Sequence, residues 1–558
     1  MGLDDCPHIM RSMLQEIILA IALLLVSGAA AAQNLSPAQT GKIDEVFRQY
    51  NKPDSAGCAL GVYRNGSVAY ARGYGMASLD LGVPITPQTV FDIGSTSKQF
   101  TAFSILLLQQ QGKLSVDDDV RKFLPQLPDY GKVITLHHLM THTSGMRDYA
   151  SLFDLAGVPE QNLTTDQDAV DLIARQKALN FAPGDEWNYS NSGFFLLSQV
   201  VKRVTGQTLR DFDQKNIFTP LGMGSTQIFN EHTLIIPHRA TGYSYDKEQK
   251  VFGVEMSNFE QTGDGSVQTS VEDLQRWDEN FYTAKLGGAE LIRQMQVVGK
   301  LNNGEEHGYA AGLAIAKYRG QPTVSHSGSW AGYRAQLLRF PRQHTSVAVL
   351  CNVAQATPSS YAHSVADVVL GDVLEPSAAT RADHKETSST VSSDVLQAYA
   401  GVYKSDKGEY QRVEFKDGKL WLADYGIELI PQSSTVFGAK QADGTVTFSN
   451  KKMVLEFDSD KPQTLNWVNV RAAKDVGQFA GDYYSSELDA TWELREEEGQ
   501  LKARVKHGAA PASVLRPIDE NLFLLEGGSL QFEKRSGERM RALLSVDRIR
   551  NVEFVKVN

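Results

Sequence analysis

Short strand patterns stand at both ends of the first two-thirds of the chain, with helical patterns between them. The stretch 61–70 reads as a hairpin that turns at Asn65-Gly66. Helical stretches follow at 95–111 and 194–205, each carrying a long apolar run, Phe100 to Leu108 and Phe194 to Val201. Strand patterns return at 323–340 and 345–353. Strands at both ends around helices predict an α/β sheet with a helical insertion. Residues 375–393 are small, polar and nearly devoid of apolar side chains, which predicts a linker. Beyond them helical periodicity fades. Val413-Glu414-Phe415 and Leu420-Trp421-Leu422 flank Asp417-Gly418, a hairpin signal. An internal repeat appears here: Tyr399-Ala400-Gly401-Val402-Tyr403 recurs as Phe479-Ala480-Gly481-Asp482-Tyr483, each copy leading into short alternating strands. The repeat predicts two small antiparallel β-barrels, 394–472 and 476–558, with one larger barrel built from both halves as the alternative.

The N-terminus carries an apolar core at 17–27, too short for a comfortable membrane span, followed by Ala29 to Ala32. This is the pattern of a signal peptide, 1–32, cleaved after Ala32. Asp4 and Asp5 suit such a segment poorly, so the effective start is placed at Met10 or Met13, the former keeping Arg11. An uncleaved anchor is the alternative. Removing 1–32 takes away Asp4, Asp5, Glu16 and Arg11 and brings the net charge from −11 to −9. An acidic chain is a poor nucleic-acid binder, so that class is excluded. At 558 residues two to four domains are expected, and the hydrolase segment is placed at 33–374. Export puts the mature chain in an oxidising compartment, periplasmic or secreted, with no stable membrane span. Only Cys58 and Cys351 remain there, too few for a disulfide scaffold.

The chemistry concentrates at Ser95-Thr96-Ser97-Lys98. Serine and lysine three apart share one side of a helical turn, where an amine can take the proton of the hydroxyl. Ser244 to Lys247 and Ser449 to Lys452 match the spacing, but the first lies in a loop pattern and the second between strand patterns. Ser95 alone opens a buried-looking helix, whose free N–H groups and dipole favour an oxyanion. An N-cap serine is the plainer reading of that position. Tyr189-Ser190-Asn191 and His326-Ser327-Gly328 follow in order within the same segment.

The set S-x-x-K, Y-x-N, H-x-G, with the surrounding text 91–128, 134–149, 181–201, 263–277 and 325–341, resembles the serine β-lactamase and penicillin-binding-protein superfamily. The resemblance covers 43–373 and is to the branch with tyrosine in the second motif, which includes class C β-lactamases, D-stereospecific aminopeptidases and DD-peptidases. It implies a β-lactamase/transpeptidase-like α/β (α+β) fold with an antiparallel central sheet, followed by one or two small β-barrels. It implies Ser95 as nucleophile, Lys98 and Tyr189 as coupled candidates for the base, and an oxyanion hole from the N–H groups of Ser95 and Ser329, with Gly328 beside it. Asn191 binds the substrate carbonyl or orients Lys98. His326 stands where many relatives carry lysine; it would hold Tyr189 deprotonated, shuttle a proton, or bind a carboxylate when protonated, and it fits peptidases better than dedicated β-lactamases. Activity is therefore expected to follow the titration of His326.

The expected activity is an exported serine hydrolase acting on D-amino-acid-containing peptides or amides, peptidoglycan-derived material among them, without a metal or cofactor. An esterase, or a penicillin-recognising DD-carboxypeptidase or β-lactamase, is the alternative among enzymes; a non-catalytic binder of cell-wall fragments is the alternative outside them. The strands of Cys58 and Cys351 would neighbour each other in the sheet, and two free buried thiols are preferred over a disulfide. His138 and His142, four apart, read as part of a structural turn rather than a metal pair. Trp187 and Trp330 line the pocket or simply pack, and Arg147 and Arg334 bind a substrate carboxylate or face solvent. The added barrels cap the cleft, bind cell-wall material or act as spacers.

Overall fold

A computed structural model describes residues 34–557 apart from 160, 377–390, 441–443, 458–461, 472, 474, 509 and 535. The segment 1–32, which the sequence pattern reads as a signal peptide, and most of the segment 375–393, read as a linker, lie outside the described residues. Among the described residues no helix is long and apolar enough to cross a membrane.

Six antiparallel strands form the central sheet in the order Ala314–Tyr318, Gln321–Trp330, Tyr333–Phe340, Thr345–Cys351, Cys58–Arg64, Ser67–Tyr74. The first and last sheet strands in sequence thus meet in its middle, and the helical segment is inserted between them. Asn65 and Gly66 turn the hairpin with φ of 51° and 75°, the left-handed conformation that a two-residue turn of this kind demands. Every residue of Thr345–Cys351 is buried, because helices cover both faces of the sheet. One face packs on the terminal helices Pro37–Val46 and Pro358–Leu370 through Ile43, Phe47, Val349 and Val365. The other packs on the inserted helices through Phe100, Leu108, Trp277 and Leu337.

Cys58 and Cys351 stand directly opposite each other in neighbouring strands and are joined by a disulfide. This corrects the expectation of free thiols. Burial is as expected, but the register places the two side chains on the same face with their Cα atoms 4.0 Å apart, close enough to bond.

The C-terminal third forms two closed eight-stranded barrels, one from Gly401–Ser405 to Gln463–Val468 and one from Gly481–Ser485 to Ile549–Lys556. The internal repeat has a physical basis. Tyr403 donates its hydroxyl to the Tyr399 carbonyl, and Tyr483 donates to the Phe479 carbonyl, each at 2.9 Å. The leading aromatic of each repeat stacks inside its barrel, Tyr399 on Phe448 and Phe479 on Phe532. Each motif therefore plugs one barrel end with an aromatic pair and ties it to the first strand.

The second barrel is docked on the catalytic domain. Arg147 and Glu487 form a salt bridge at 2.6 Å with side chains 1% and 2% exposed. Arg147 also donates to the carbonyls of Arg550 and Asn551, and Trp492 donates its indole N–H to the Leu155 carbonyl. Arg147 is thus neither a substrate ligand nor a solvent-exposed side chain, as the sequence reading had it; it is the anchor of a domain interface.

Candidate active site

Ser95 lies in a 3-10 turn, Gly94–Ser97, that runs into the helix Lys98–Gln110. The turn is held from three sides. Asp92 accepts from the Gly94 N–H at 2.7 Å, Thr96 donates to the His326 carbonyl, and the Ser97 hydroxyl accepts from the Val267 N–H. Gly94 has φ of 48°, and a Cβ there would sit 2.8 Å from the Ser329 nitrogen. A Cβ on Gly328 would sit 1.9 Å from the Ile93 carbonyl oxygen. Both positions need glycine because strand Gln321–Trp330 runs backbone against backbone beside the nucleophile turn. That approach brings the Ser329 N–H alongside Ser95.

The Lys98 amine is buried and has three partners: Ser95 Oγ at 3.0 Å, Asn191 Oδ1 at 2.8 Å and the Asp264 carbonyl oxygen at 2.7 Å. Burial lowers its pKa to about 7, opposed by the charge of Asp264 and assisted by that of Arg548. A neutral amine has two N–H donors and one lone pair. Asn191 Oδ1 and the Asp264 carbonyl can only accept, so they take both donors. Ser95 is the one partner able to donate, and the lone pair faces its hydroxyl.

Tyr189 lies over this centre, its ring centroid 4.9 Å from Lys98 Nζ. Burial raises its phenol above the ordinary value, while the Ser95 hydroxyl and Arg548 act the other way. The tyrosine precedes the helix Asn191–Thr205, whose first N–H donates to Asp148 Oδ2 at 2.5 Å. Tyr149 donates its hydroxyl to Asp264 Oδ2, so two buried acids support the motif from behind. His142 packs on the Tyr189 ring with centroids 4.1 Å apart, and His138 accepts from the Thr135 N–H as part of a helix cap.

His326 is placed differently from its expected role. Its Nδ1 lies 2.6 Å from the Ser327 carbonyl oxygen and therefore carries the proton. Its Nε2 accepts from the Tyr309 hydroxyl at 2.8 Å. Burial, then the charge of Lys98, lowers its pKa to about 3, so the ring is neutral throughout the range expected for its switching. Both ring nitrogens are thus engaged within the protein. Trp187 packs on His142 and Tyr309, and Trp330 on Phe259. Arg334 donates to the carbonyls of Ala331 and Tyr333 within its own hairpin.

Ser95, Lys98, Tyr189, Asn191, His326, Gly328 and Ser329 thus come together around one centre. The sequence reading missed Asp148, Asp264, Tyr309 and Arg548. Asp148 is the N-cap of the helix Tyr149–Ala156, where an acid is ordinary, Asp264 stands in a loop without a distinguishing pattern, and Tyr309 is an aromatic among many. Arg548 comes from the second barrel, from the turn between strands Arg541–Val546 and Ile549–Lys556, and sits with its guanidinium carbon 4.7 Å from the Tyr189 ring centroid.

Comparison with known proteins gives the family. The model of the family described as Beta-lactamase matches residues 43–370. Penicillin-binding protein 4* of Bacillus subtilis is 30% identical over 69% of this chain and 88% of its own. A D-aminopeptidase of Gluconobacter oxydans is 28% identical over 78% of this chain and 80% of its own. Among solved structures, the octameric penicillin-binding protein homologue from Pyrococcus abyssi is 26% identical, with a TM-score of 0.56 over 77% of this chain and 99% of its own. The chain belongs to the Beta-lactamase family and is a serine hydrolase of the β-lactamase and penicillin-binding-protein superfamily.

Proposed function

We propose that the protein is an exported hydrolase that cleaves D-amino-acid-containing peptides or amides through an acyl-Ser95 intermediate. The observation that carries this reading is the buried Lys98 amine, lowered to about 7 and 3.0 Å from Ser95 Oγ. Neutral Lys98 takes the Ser95 proton as Oγ attacks the scissile carbonyl carbon. The resulting oxyanion is met by the N–H groups of Ser95 and Ser329. The carbonyl re-forms, the C–N bond breaks, and the proton passes from Lys98, by way of the Tyr189 hydroxyl, to the leaving amine. Water then adds to the acyl ester, its proton goes to the same pair, and Ser95 is released with the carboxylic acid. With Tyr189 pushed up and Lys98 pushed down, Lys98 is the base and Tyr189 the relay. Asn191 spends its oxygen on Lys98, which leaves its NH2 for a substrate carbonyl. The D-amino-acid specificity draws support from relatives named D-aminopeptidase. Export draws support from the disulfide, a bond that persists in oxidising compartments.

The test is hydrolysis of D- and L-alanine p-nitroanilides, amine free or acetylated, by native protein and Ser95→Ala. Turnover of a D-substrate above its L-counterpart, lost by at least about 10³-fold in Ser95→Ala, is expected. Equal turnover by the variant, or a preference for the L-series, overturns the reading.

The pH dependence follows from the same pair. The reactive amine is deprotonated, so kcat/KM rises with pH through about 7 and falls below it as Lys98 gains its proton. His326, lowered to about 3, contributes nothing to that limb. His326→Gln is expected to keep the limb near pH 7 while reducing the rate. A limb that disappears in this variant would return the titration to the histidine.

A further inference from the structure

The turn Asp547-Arg548 of the second barrel reaches the Tyr189 ring and is clamped there. Asn180 donates its side-chain amide to the Arg548 carbonyl at 2.7 Å and accepts from the Arg550 N–H at 2.8 Å. The Arg550 guanidinium grips both oxygens of Glu186 at 3.0 and 3.2 Å, and Arg147 holds the carbonyls that follow. A turn fixed on both sides presents its side chain in a set place.

That side chain is a cation over the Tyr189 ring, which Lys98 approaches as well. The negative face of an aromatic ring attracts a cation and holds it close. Among the described residues its one acidic partner is Asp547, whose Oδ2 lies 3.4 Å from Nε. The two terminal nitrogens remain, on a side chain 34% exposed. Their planar fork matches the two oxygens of a carboxylate. So strong a cation beside Lys98 pushes against the amine it neighbours. A ligand anion would relieve that repulsion.

We propose that Arg548 is the specificity-determining residue of the cleft: a carboxylate-binding group supplied by the second barrel, which selects peptides carrying a carboxylate next to the scissile bond. The inference rests on the acyl-Ser95 reading and adds to it the charge of the substrate. It places the anion site on the C-terminal barrel, and His326, neutral and bonded to Tyr309, does not compete for it.

The experiment compares kcat/KM for N-acetyl-D-alanyl-D-alanine with that for its C-terminal amide. N-acetyl-D-alanyl-D-glutamate α-amide tells a side-chain carboxylate from a terminal one, and p-nitrophenyl acetate reports on Ser95 alone. Native protein is expected to favour a carboxylate substrate over the amide by about tenfold or more, as a charge-assisted pair allows. Arg548→Ala should lose that preference, Arg548→Lys should keep part of it, and Arg548→Glu should invert it, each ratio being taken at a pH above the activity limb of that variant, where Lys98 is neutral and the ester rate serves as the reference. Preference for either carboxylate sustains the proposal and identifies the group read. Equal cleavage of acid and amide, a ratio unchanged in Arg548→Ala, or a preference for free-amine D-alanyl substrates that vanishes in Asp547→Asn would overturn it and leave the acyl-enzyme reading standing. Failure to hydrolyse even the ester, with Ser95 unlabelled by a fluorophosphonate, would remove the acyl-enzyme reading and this proposal together.

Discussion

Lys98→Met is expected to lower kcat/KM by on the order of 10³–10⁴-fold and to abolish the limb near pH 7, with the fold retained. Methionine fills the lysine stem without the amine, so the packing against Tyr189 and Phe194 is largely kept. The Asn191 and Asp264 oxygens lose a donor, a cost of about 1–3 kcal/mol. Set against it is the removal of an amine that burial already disfavours as a charge. The two effects oppose, and the denaturation midpoint should move little. Steady-state kinetics, fluorophosphonate labelling and urea unfolding check the three parts. Activity within tenfold of native would show that Lys98 is not the base, whatever its distance from Ser95.

Glu487→Ala is expected to be the most destabilising single change at the domain interface, costing about 3–5 kcal/mol. It leaves Arg147 buried and charged, with Gln176 Oε1 and two backbone carbonyls as its remaining partners. The Lys177 N–H and the Glu553 N–H lose their acceptor in the same stroke. The barrel should undock before it unfolds, which would add an early transition to the urea curve. Arg548 would leave the cleft with it. Because Arg548 helps to lower the Lys98 pKa, its departure should move the activity limb to higher pH. Replacing both partners by methionine should recover most of the stability, since an apolar pair leaves no stranded charge. A cost below about 1 kcal/mol, or an unmoved limb, would mean that the barrel sits on the cleft for other reasons.

Much of the site could be read from the chain because its chemistry is local. Ser95 and Lys98 are three residues apart, and any helical turn brings such a pair together. Tyr189 and Asn191 share one short motif at a helix start. The hairpin at Asn65-Gly66 and the repeat at Tyr399 and Phe479 are also short-range patterns, and the strands grew from them as expected. The state of those groups is another matter. An ordinary histidine titrates near neutrality, and nothing beside His326 in the sequence says otherwise. Its shift to about 3 comes from burial and then the Lys98 charge, against the opposing bond to the Ser327 carbonyl. Cys58 and Cys351 were legible as buried strand residues, but their pairing depends on sheet register, which no local pattern specifies.

By itself, then, the sequence determined the pairing of Ser95 with the Lys98 amine, the order of the motifs and the presence of two β modules. These depend on spacings within a few residues, where backbone geometry leaves little choice. Only the tertiary structure decided the downward pKa shifts of Lys98 and His326, the disulfide, and the arrival of Arg548 beside Tyr189. Desolvation and Coulomb terms are set by whatever surrounds a group in space. For Lys98 that surrounding includes a turn from the far end of the chain, held in place by one buried ion pair.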